Sequence, residues 1–277
     1  MPPLASLALL ILPFALHAAP LFERQDLFTE NTGGYVSYRI PGIVVTAKGT
    51  ILAYCEARKF SGQDWGEIET HLRRSTDGGR TFFPARQIAH SGPRLPRNPV
   101  LYENAAKKDI GGPEEQTVNN PMLIADRDGS VHFVYCVEYM RVFYSRSSDD
   151  GATWSAPVEI TATLDRFRPE WPWRVVATGP GHGIQLRTGR LVIPLWLATA
   201  KGSPHANAVG ATIYSDDSGK TWHRGAIAMP NNKETSGTSE NIVAELSDGR
   251  VMMHARTRSQ PDRKAVTISP DGATGWS

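Results

Sequence analysis

Short apolar runs alternate with turn residues along almost the whole chain. Runs such as Thr50–Cys55, Val131–Val137 and Leu191–Leu197 have the length and the side chains of β-strands. Asp128-Gly129 and Asp248-Gly249 stand between neighbouring runs, and Asp-Gly is typical of two-residue hairpin loops. No segment shows a sustained helical period. The pattern predicts an all-β protein.

One octapeptide, Ser-x-Asp-x-Gly-x-Thr followed by Trp or Phe, is repeated along this pattern. It occurs at residues 75–82, 147–154 and 215–222, and a fourth version at 269–276 has its glycine one place early. Ser and Asp side chains accept backbone N–H bonds from residues just after them, and Gly supplies a left-handed position. The final aromatic ring is then free to pack beneath the turn. We call each copy a clasp and predict that it closes a hairpin without contacting a ligand.

The spacing of the clasps predicts a repeat architecture. Each interval fits one four-stranded propeller blade of about 40–50 residues plus an insertion. The largest insertions are residues 91–121 and residues 165–180, and the second holds Trp171 and Trp173. Either recognition or plain packing would explain these tryptophans. The chain is predicted to form a β-propeller with about four blades represented.

Composition narrows the class of protein. The 277 residues carry 30 Lys and Arg against 28 Asp and Glu, a formal charge of +2, and no long basic run. This balance argues against a nucleic-acid partner, and no protein partner is evident. The two cysteines, Cys55 and Cys136, lie in apolar runs and are interpreted as buried thiols or a disulfide. Two cysteines are too few for a zinc site built on thiolates.

The first residues predict export from the cytoplasm. Residues 1–19 contain no charged side chain and include an apolar stretch at 7–12. We interpret residues 1–19 as a signal peptide or an N-terminal anchor, and residues 20–277 as the propeller domain. Either alternative predicts a secreted, periplasmic or cell-surface protein.

Three further segments give the chain a family resemblance. They are Tyr38-Arg39-Ile40-Pro41, Cys55-Glu56-Ala57-Arg58 and Gln63-Asp64-Trp65-Gly66. In this order and accompanied by the clasps, they resemble the bacterial-type exo-α-sialidases, also called neuraminidases, from about Gly33 to the end of the chain. The resemblance implies a six-bladed propeller that hydrolyses terminal α-linked sialic acids of glycoproteins, glycolipids or oligosaccharides. It also implies sialylated glycans as partners and no cofactor or metal.

The resemblance assigns roles to three residues near the start. Arg39 matches the first of three arginines that bind the sialic acid carboxylate, a task that suits a planar guanidinium with parallel donors. Arg58 matches an arginine near the C4 hydroxyl of the sugar. Asp64 matches the acid/base aspartate, and partial burial beside Trp65 would favour its protonated form. The competing interpretations are a structural ion pair for Arg39, a surface role for Arg58 and a turn former for Asp64.

A second segment, Ser239 to Arg256, resembles the part of the family that carries the catalytic glutamate and the second arginine. Glu240 begins one predicted strand and Arg256 ends the next, so a hairpin would place both at the same edge of the sheet. Glu245 and Arg258 are the competing candidates, and they fit this geometry less well.

The chain departs from the family at its far end. Sialidases use a tyrosine nucleophile, because a carboxylate nucleophile would be repelled by the carboxylate on the anomeric carbon of sialic acid. In this chain, Glu240 would be the base that activates the tyrosine. None of the eight tyrosines comes after Arg256, and the last is Tyr214. We therefore expect a C-terminally incomplete sialidase domain that lacks the nucleophile and the third arginine and is inactive alone. The alternative is a propeller that binds sialic acid or other glycans without cleaving them.

Overall fold

The computed structural model describes residues 22–89, 92–100, 111–201, 203, 205–259 and 263–277. The predicted signal or anchor at residues 1–19 lies outside this range. Within the described part of the chain, no helix has the length and apolar character needed to cross a membrane.

Four antiparallel sheets succeed one another along the chain, and each is one blade. Blade 1 contains β1 (Ser37–Val45), β2 (Ile51–Arg58), β3 (Ile68–Ser75) and β4 (Arg86–Gln87). Blade 2 contains β5 (Val118–Ala125), β6 (Val131–Val137), β7 (Arg141–Ser147) and β8 (Val158–Glu159). Helix α1 (Thr161–Asp165) leads to blade 3, which contains β9 (Val175–Thr178), β10 (Ile184–Gln185), β11 (Leu191–Ala198), β12 (Ala208–Ser215) and β13 (His223–Met229). Blade 4 contains β14 (Asn241–Glu245), β15 (Val251–Ala255) and β16 (Ala265–Ser269).

The apolar runs become strands that are covered on both faces by neighbouring blades. Every residue of β6 and of β11 is buried. Strands of the first and last blades differ, because β1 and β14 alternate, and β1 leaves Ile43 and Val45 more than half exposed. One core cluster joins blades 1 and 2 through Leu52 and Phe133, and another joins blades 2 and 3 through Met122. Continuous burial of an antiparallel strand is the result of face-to-face stacking of blades.

The insertion before blade 3 is structural. Trp173 is fully buried and its indole N–H donates to the Leu164 carbonyl at 2.9 Å. Trp171 packs against the same core and donates to the Leu197 carbonyl at 2.9 Å. The guanidinium of Arg168 lies 3.9 Å from the centre of the Trp173 ring. Packing, not ligand recognition, therefore accounts for both tryptophans.

Each clasp begins at the last residue of the third long strand of its blade, and its hydrogen bonds have the predicted pattern. In the clasp at 215–222, Ser215 Oγ donates to Asp217 at 2.8 Å and accepts from the Gly219 N–H at 2.9 Å. The Thr221 N–H and hydroxyl donate to the two oxygens of Asp217 at 2.9 and 2.6 Å. The Thr221 hydroxyl is the main cause that lowers the pKa of Asp217 to about 2. Trp222 is buried against Tyr144, with ring centres 5.5 Å apart.

The fourth clasp closes in the same way despite its displaced glycine. The Gly272 N–H donates to Ser269 Oγ at 2.9 Å, and the Thr274 N–H donates to Asp271 at 2.7 Å. Trp276 packs against the core cluster of blades 3 and 4.

The clasps also dock each blade onto the one before it. A methyl group built on Gly219 of blade 3 would overlap the Tyr144 hydroxyl of blade 2. One built on Gly151 of blade 2 would lie 2.9 Å from Leu52 of blade 1, and one on Gly272 of blade 4 would lie 3.1 Å from Val192 of blade 3. All three glycines have positive φ. The clasp glycine is thus required both for its φ and for the close approach of the adjacent blade.

The cysteines are free and buried, so the disulfide alternative is not realised. Cys136 is fully buried, and burial raises the pKa of its thiol to about 12.

Bulges shape the first strands of blades 1 and 2 at the end opposite the clasps. In β1 the pairing with β2 shifts between Arg39 and Gly42, and Ile40 has φ of 53°. In β5 the pairing with β6 shifts between Asn119 and Met122, and Asn120 has φ of 51°. In both strands the left-handed residue precedes a proline, which has no N–H to donate to the ladder.

Candidate functional site

Three residues predicted for the site meet in blade 1, at the end opposite its clasp. Arg58 Nη1 donates to Asp64 Oδ1 at 2.9 Å. Arg39 Nη1 lies 3.7 Å from the same oxygen. The side chains of Arg39 and Asp64 are 51% and 39% exposed, whereas that of Arg58 is 1% exposed. The carboxylate of Asp64 thus stands at the surface between one exposed and one buried guanidinium.

Local structure explains this convergence. Arg39 lies in β1 directly before the bulge, and Arg58 is the last residue of β2. Asp64 lies in the loop that leads to β3, and Arg58 Nη1 also binds this loop through the Gly62 carbonyl at 2.8 Å. Because β1 and β2 are antiparallel, the start of β1 and the end of β2 lie side by side at the same end of the blade.

Glu240 and Arg256 form the second pair, in blade 4. Arg256 Nη1 lies 2.9 and 3.1 Å from the two carboxylate oxygens of Glu240, and the Arg256 N–H donates to the Glu240 carbonyl at 2.8 Å. The side chain of Asn241 donates to the Leu195 carbonyl at 2.9 Å, which ties this strand start to blade 3. The hairpin β14–β15 thus brings the two predicted residues together at the end opposite the fourth clasp.

The electrostatics of Glu240 favour the carboxylate. Burial alone raises its pKa, but the Ser239 hydroxyl, which donates at 2.8 Å, and the charge of Arg256 bring the pKa below its ordinary value. An ionised carboxylate at mildly acidic pH is the form that can accept a proton.

The competing candidates lie elsewhere or are engaged differently. Glu245 is at the far end of β14, where it accepts from the backbone and the guanidinium of Arg187 at 3.0 and 3.2 Å. The Arg258 N–H donates to the Ser236 carbonyl at 2.7 Å, and the Arg258 side chain covers Gly237. Within the described part of the chain, neither residue forms a hydrogen bond or an ion pair with Glu240.

His205, which sequence reasoning missed, lies among aromatic rings that include Trp65, the residue after Asp64. The His205 ring is tilted against those of Trp65, Tyr139 and Trp196, with ring centres 6.0, 6.4 and 4.9 Å away. Burial lowers the pKa of His205, and the carboxylates of Asp64 and Glu240 both act to raise it. The pairs in blades 1 and 4 border one segment, because Arg39 and Pro180 line the same pocket and the Gly179 carbonyl accepts the Asn241 N–H at 3.1 Å.

Glu56 is a second residue that sequence reasoning missed. It is fully buried and accepts from Arg58 Nε at 3.1 Å and from Arg58 Nη2 at 2.6 Å. Its other oxygen accepts the Asn120 N–H of blade 2 at 2.7 Å. A signal was available, because residues two apart on a strand share a face and Glu56 precedes Arg58 by two.

His182 and the asparagines of β5 form hydrogen bonds within the protein. His182 Nδ1 lies 3.0 Å from the Gly183 carbonyl oxygen. The side chain of Asn119 contacts that of Asn120 at 2.9 Å and accepts the Tyr139 N–H at 3.2 Å. Among the described residues, no group of three or more His, Cys, Asp or Glu side chains is arranged to hold a metal ion.

Comparison with known proteins decides the family. The model of the BNR repeat-like domain matches residues 104–277. The chain belongs to the BNR repeat-like domain family. This match begins before blade 2 and includes three of the four clasps.

The similarity to individual proteins also covers blade 1. The sialidase of Micromonospora viridifaciens is 30% identical over 93% of this chain, and that of Bacteroides fragilis (strain YCH46) is 30% identical over 87%. Among solved structures, the Hadza microbial sialidase Hz136 matches 88% of the chain with a TM-score of 0.69 and 26% identity. The resemblance to sialidases and the propeller fold are thereby confirmed. The chain spans 38% and 43% of the lengths of the two curated relatives and 46% of the solved chain.

Proposed function

We propose that this chain supplies the substrate-binding and acid/base part of an exo-α-sialidase, which hydrolyses terminal α-linked sialic acids. The observation that carries the proposal is the pairing of Asp64 with Arg39 and of Glu240 with Arg256 around one region. Sialidase relatives at 30% identity support it.

Arg39 and Arg256 are proposed to bind the carboxylate of sialic acid. Both side chains are more than half exposed, at 51% and 59%, so a ligand reaches them without displacing core residues. A carboxylate ligand would compete with Asp64 and Glu240 for these guanidiniums, and a planar ligand suits their parallel donors.

Asp64 is proposed to protonate the departing glycosidic oxygen and later to activate water. Once Arg39 turns to the ligand, Asp64 keeps the hydrogen bond from Arg58 to Oδ1, and Oδ2 is left to carry the proton. Glu240, held as a carboxylate, would accept the proton of a tyrosine nucleophile. The proposed reaction also needs a tyrosine nucleophile and a third arginine, and none of the eight tyrosines of this sequence comes after Arg256.

The test of the reaction uses the full product of the gene that encodes this chain and a fluorogenic α-sialoside. We expect release of sialic acid, and Asp64→Ala should lower turnover by about 10²–10⁴-fold while sialic acid still binds. Asp248→Ala is the matched control, because Asp248 is an exposed aspartate of the β14–β15 turn at the clasp end. Normal turnover by Asp64→Ala would remove Asp64 from the mechanism.

Binding without hydrolysis is the second candidate, and it needs only the exposed guanidiniums of Arg39 and Arg256. It predicts that the full gene product binds sialylated glycans on an array but leaves the fluorogenic sialoside intact. We also propose export of the protein, on the basis of the apolar residues 7–12. Cell fractionation of the native host, combined with N-terminal sequencing, tests this.

A further inference from the structure

The buried carboxyl group of Glu56 accepts hydrogen bonds on both of its oxygens. Three N–H groups point at it, two from Arg58 and one from the backbone of Asn120, at 3.1, 2.6 and 2.7 Å. Burial raises the pKa of Glu56, whereas Arg58 and the Asn120 N–H act against that rise. Glu56 has no exposed surface and therefore cannot touch a ligand.

Arg58 transmits this geometry to the surface. Its guanidinium is planar, so fixing Nε and Nη2 on Glu56 determines where Nη1 points. Nη1 points at the Gly62 carbonyl and at Asp64 Oδ1, at 2.8 and 2.9 Å. Asp64 is the partner that reaches solvent, with 39% of its side chain exposed. The position of the buried carboxylate therefore sets the position of the exposed one through a single guanidinium, and we call this arrangement of Glu56, Arg58 and Asp64 the relay.

The anchor of the relay belongs to a different blade. Asn120 lies in β5, at the bulge where its φ is 51°, and this conformation turns its N–H toward Glu56 of blade 1. Tyr139 of blade 2 adds cover, since it is buried and its ring centre lies 5.9 Å from that of Trp65, the residue after Asp64. Exclusion of water strengthens each charged hydrogen bond in the relay.

We propose that Glu56 is a positioning residue that holds Arg58, and through Arg58 the carboxylate of Asp64, in register with blade 2. The consequence for catalysis rests on the proposed function, in which Asp64 is the acid/base. The relay itself is a property of the folded chain.

The test tracks the carboxyl carbon of Asp64 by ¹³C NMR as pH is varied, in the unmodified protein and in Glu56→Gln. If Glu56 positions Arg58, the substitution releases the Arg58–Asp64 hydrogen bond, and the Asp64 titration midpoint rises by about one pH unit. If Glu56 acted only through its negative charge, the midpoint would fall. A midpoint that falls or stays unchanged overturns the proposal.

Glu159→Gln is the matched control. Glu159 also binds an arginine with both oxygens, Arg141, but at the outer edge of blade 2. It should leave the Asp64 titration unchanged. Glu56→Asp retains the charge on a shorter side chain and should give a smaller rise than Glu56→Gln.

A measurement on the unmodified protein keeps the proposal testable if the variants do not fold. The Arg58 Nε–H should exchange with solvent at least roughly tenfold more slowly than the Arg141 Nε–H, because Arg58 is 1% exposed and Arg141 26%. Equal exchange rates would show that Glu56 does not hold Arg58 and would overturn the proposal.

The relay and the proposed function fail separately. None of these NMR measurements requires sialic acid, so they decide the relay even if the full gene product proves inactive. If that product is active, Glu56→Gln should lower its turnover and shift its pH profile in step with the Asp64 midpoint, whereas Glu159→Gln should do neither.

Discussion

The two ends of the blades hold their carboxylates in opposite ways. At the clasp end, Asp217 receives its donors from Ser215 and Thr221, within four residues along the chain. At the other end, Asp64 accepts from Arg58, and Glu240 accepts from Arg256 on the next strand as well as from its neighbour Ser239. Donors from residues this close in the sequence stay next to the carboxylate, whereas an exposed arginine side chain can turn to a ligand. A carboxylate whose hydrogen bonds all come from residues nearby in the sequence is therefore structural, whereas one that is paired with an exposed arginine stays available for chemistry.

The largest effect should come from breaking a clasp at its glycine. Gly219→Ala drives a methyl group into the Tyr144 hydroxyl at a φ of +81°, so the clash adds to backbone strain. We expect a loss of about 3 kcal/mol or more in the free energy of unfolding, measured in urea.

Gly249→Ala is the control for that substitution. Gly249 has a φ of +91° but no atom within 4 Å of the added methyl group, so only backbone strain of about 1 kcal/mol applies. Equal losses in the two variants would show that docking between blades 2 and 3 contributes little.

The next effect concerns the opposite end and should alter binding, not stability. Arg256→Ala removes an exposed guanidinium proposed to bind a carboxylate, so sialic acid affinity of the full gene product should fall about 10- to 100-fold. Isothermal titration calorimetry measures the affinity, and calorimetric melting should show a nearly unchanged Tm.

Arg250→Ala provides the comparison within the same hairpin. Arg250 pairs with exposed Asp248 at the clasp end of β14–β15. Its loss should leave sialic acid affinity unchanged. A fall equal to that of Arg256→Ala would mean that the hairpin, and not the position of Arg256, governs binding.

The smallest effect is a pH dependence that originates near the clasp end. His132 is fully buried, with Asp126 at 3.0 Å, the Tyr144 hydroxyl at 2.8 Å, and Arg146 and Asp128 as further charged neighbours. Burial lowers the pKa of His132, although Asp126 opposes this. The unfolded chain therefore binds a proton below about pH 6.5 that the folded chain does not, and stability falls as pH decreases through this range.

His132→Gln should flatten that dependence, by about 1 kcal/mol between pH 7 and pH 5 in urea unfolding. His223→Gln alters an exposed histidine and should preserve the slope. The clasp aspartates respond at lower pH: because the folded pKa of Asp217 is about 2, their contribution is present above about pH 4 and is lost as pH falls toward 2. A single acid transition near pH 3 in both proteins would contradict the role of His132.

Features that depend on residues close together in the sequence could be predicted, whereas features that depend on distant residues could not. The clasps and the blades were predictable because each turn carries its own donors and acceptors, and the hairpin of Glu240 and Arg256 could be deduced from antiparallel pairing. The pairing of Glu56 with Arg58 could be deduced from their spacing, but its other partner, the Asn120 N–H, is 64 positions away and belongs to a bulge in another blade. His205 depends on the approach of Trp65 from blade 1, which no local pattern indicates.

The docking of each clasp glycine has a consequence for how the molecule is made. Gly151 packs against Leu52, Gly219 against Tyr144 and Gly272 against Val192, and in every case the side chain that the glycine contacts lies earlier in the chain. A ribosome delivers these surfaces in the same order. Each blade is therefore synthesised after the blade against which its clasp glycine packs. Synthesis from the N-terminus thus follows the order in which the blades can dock.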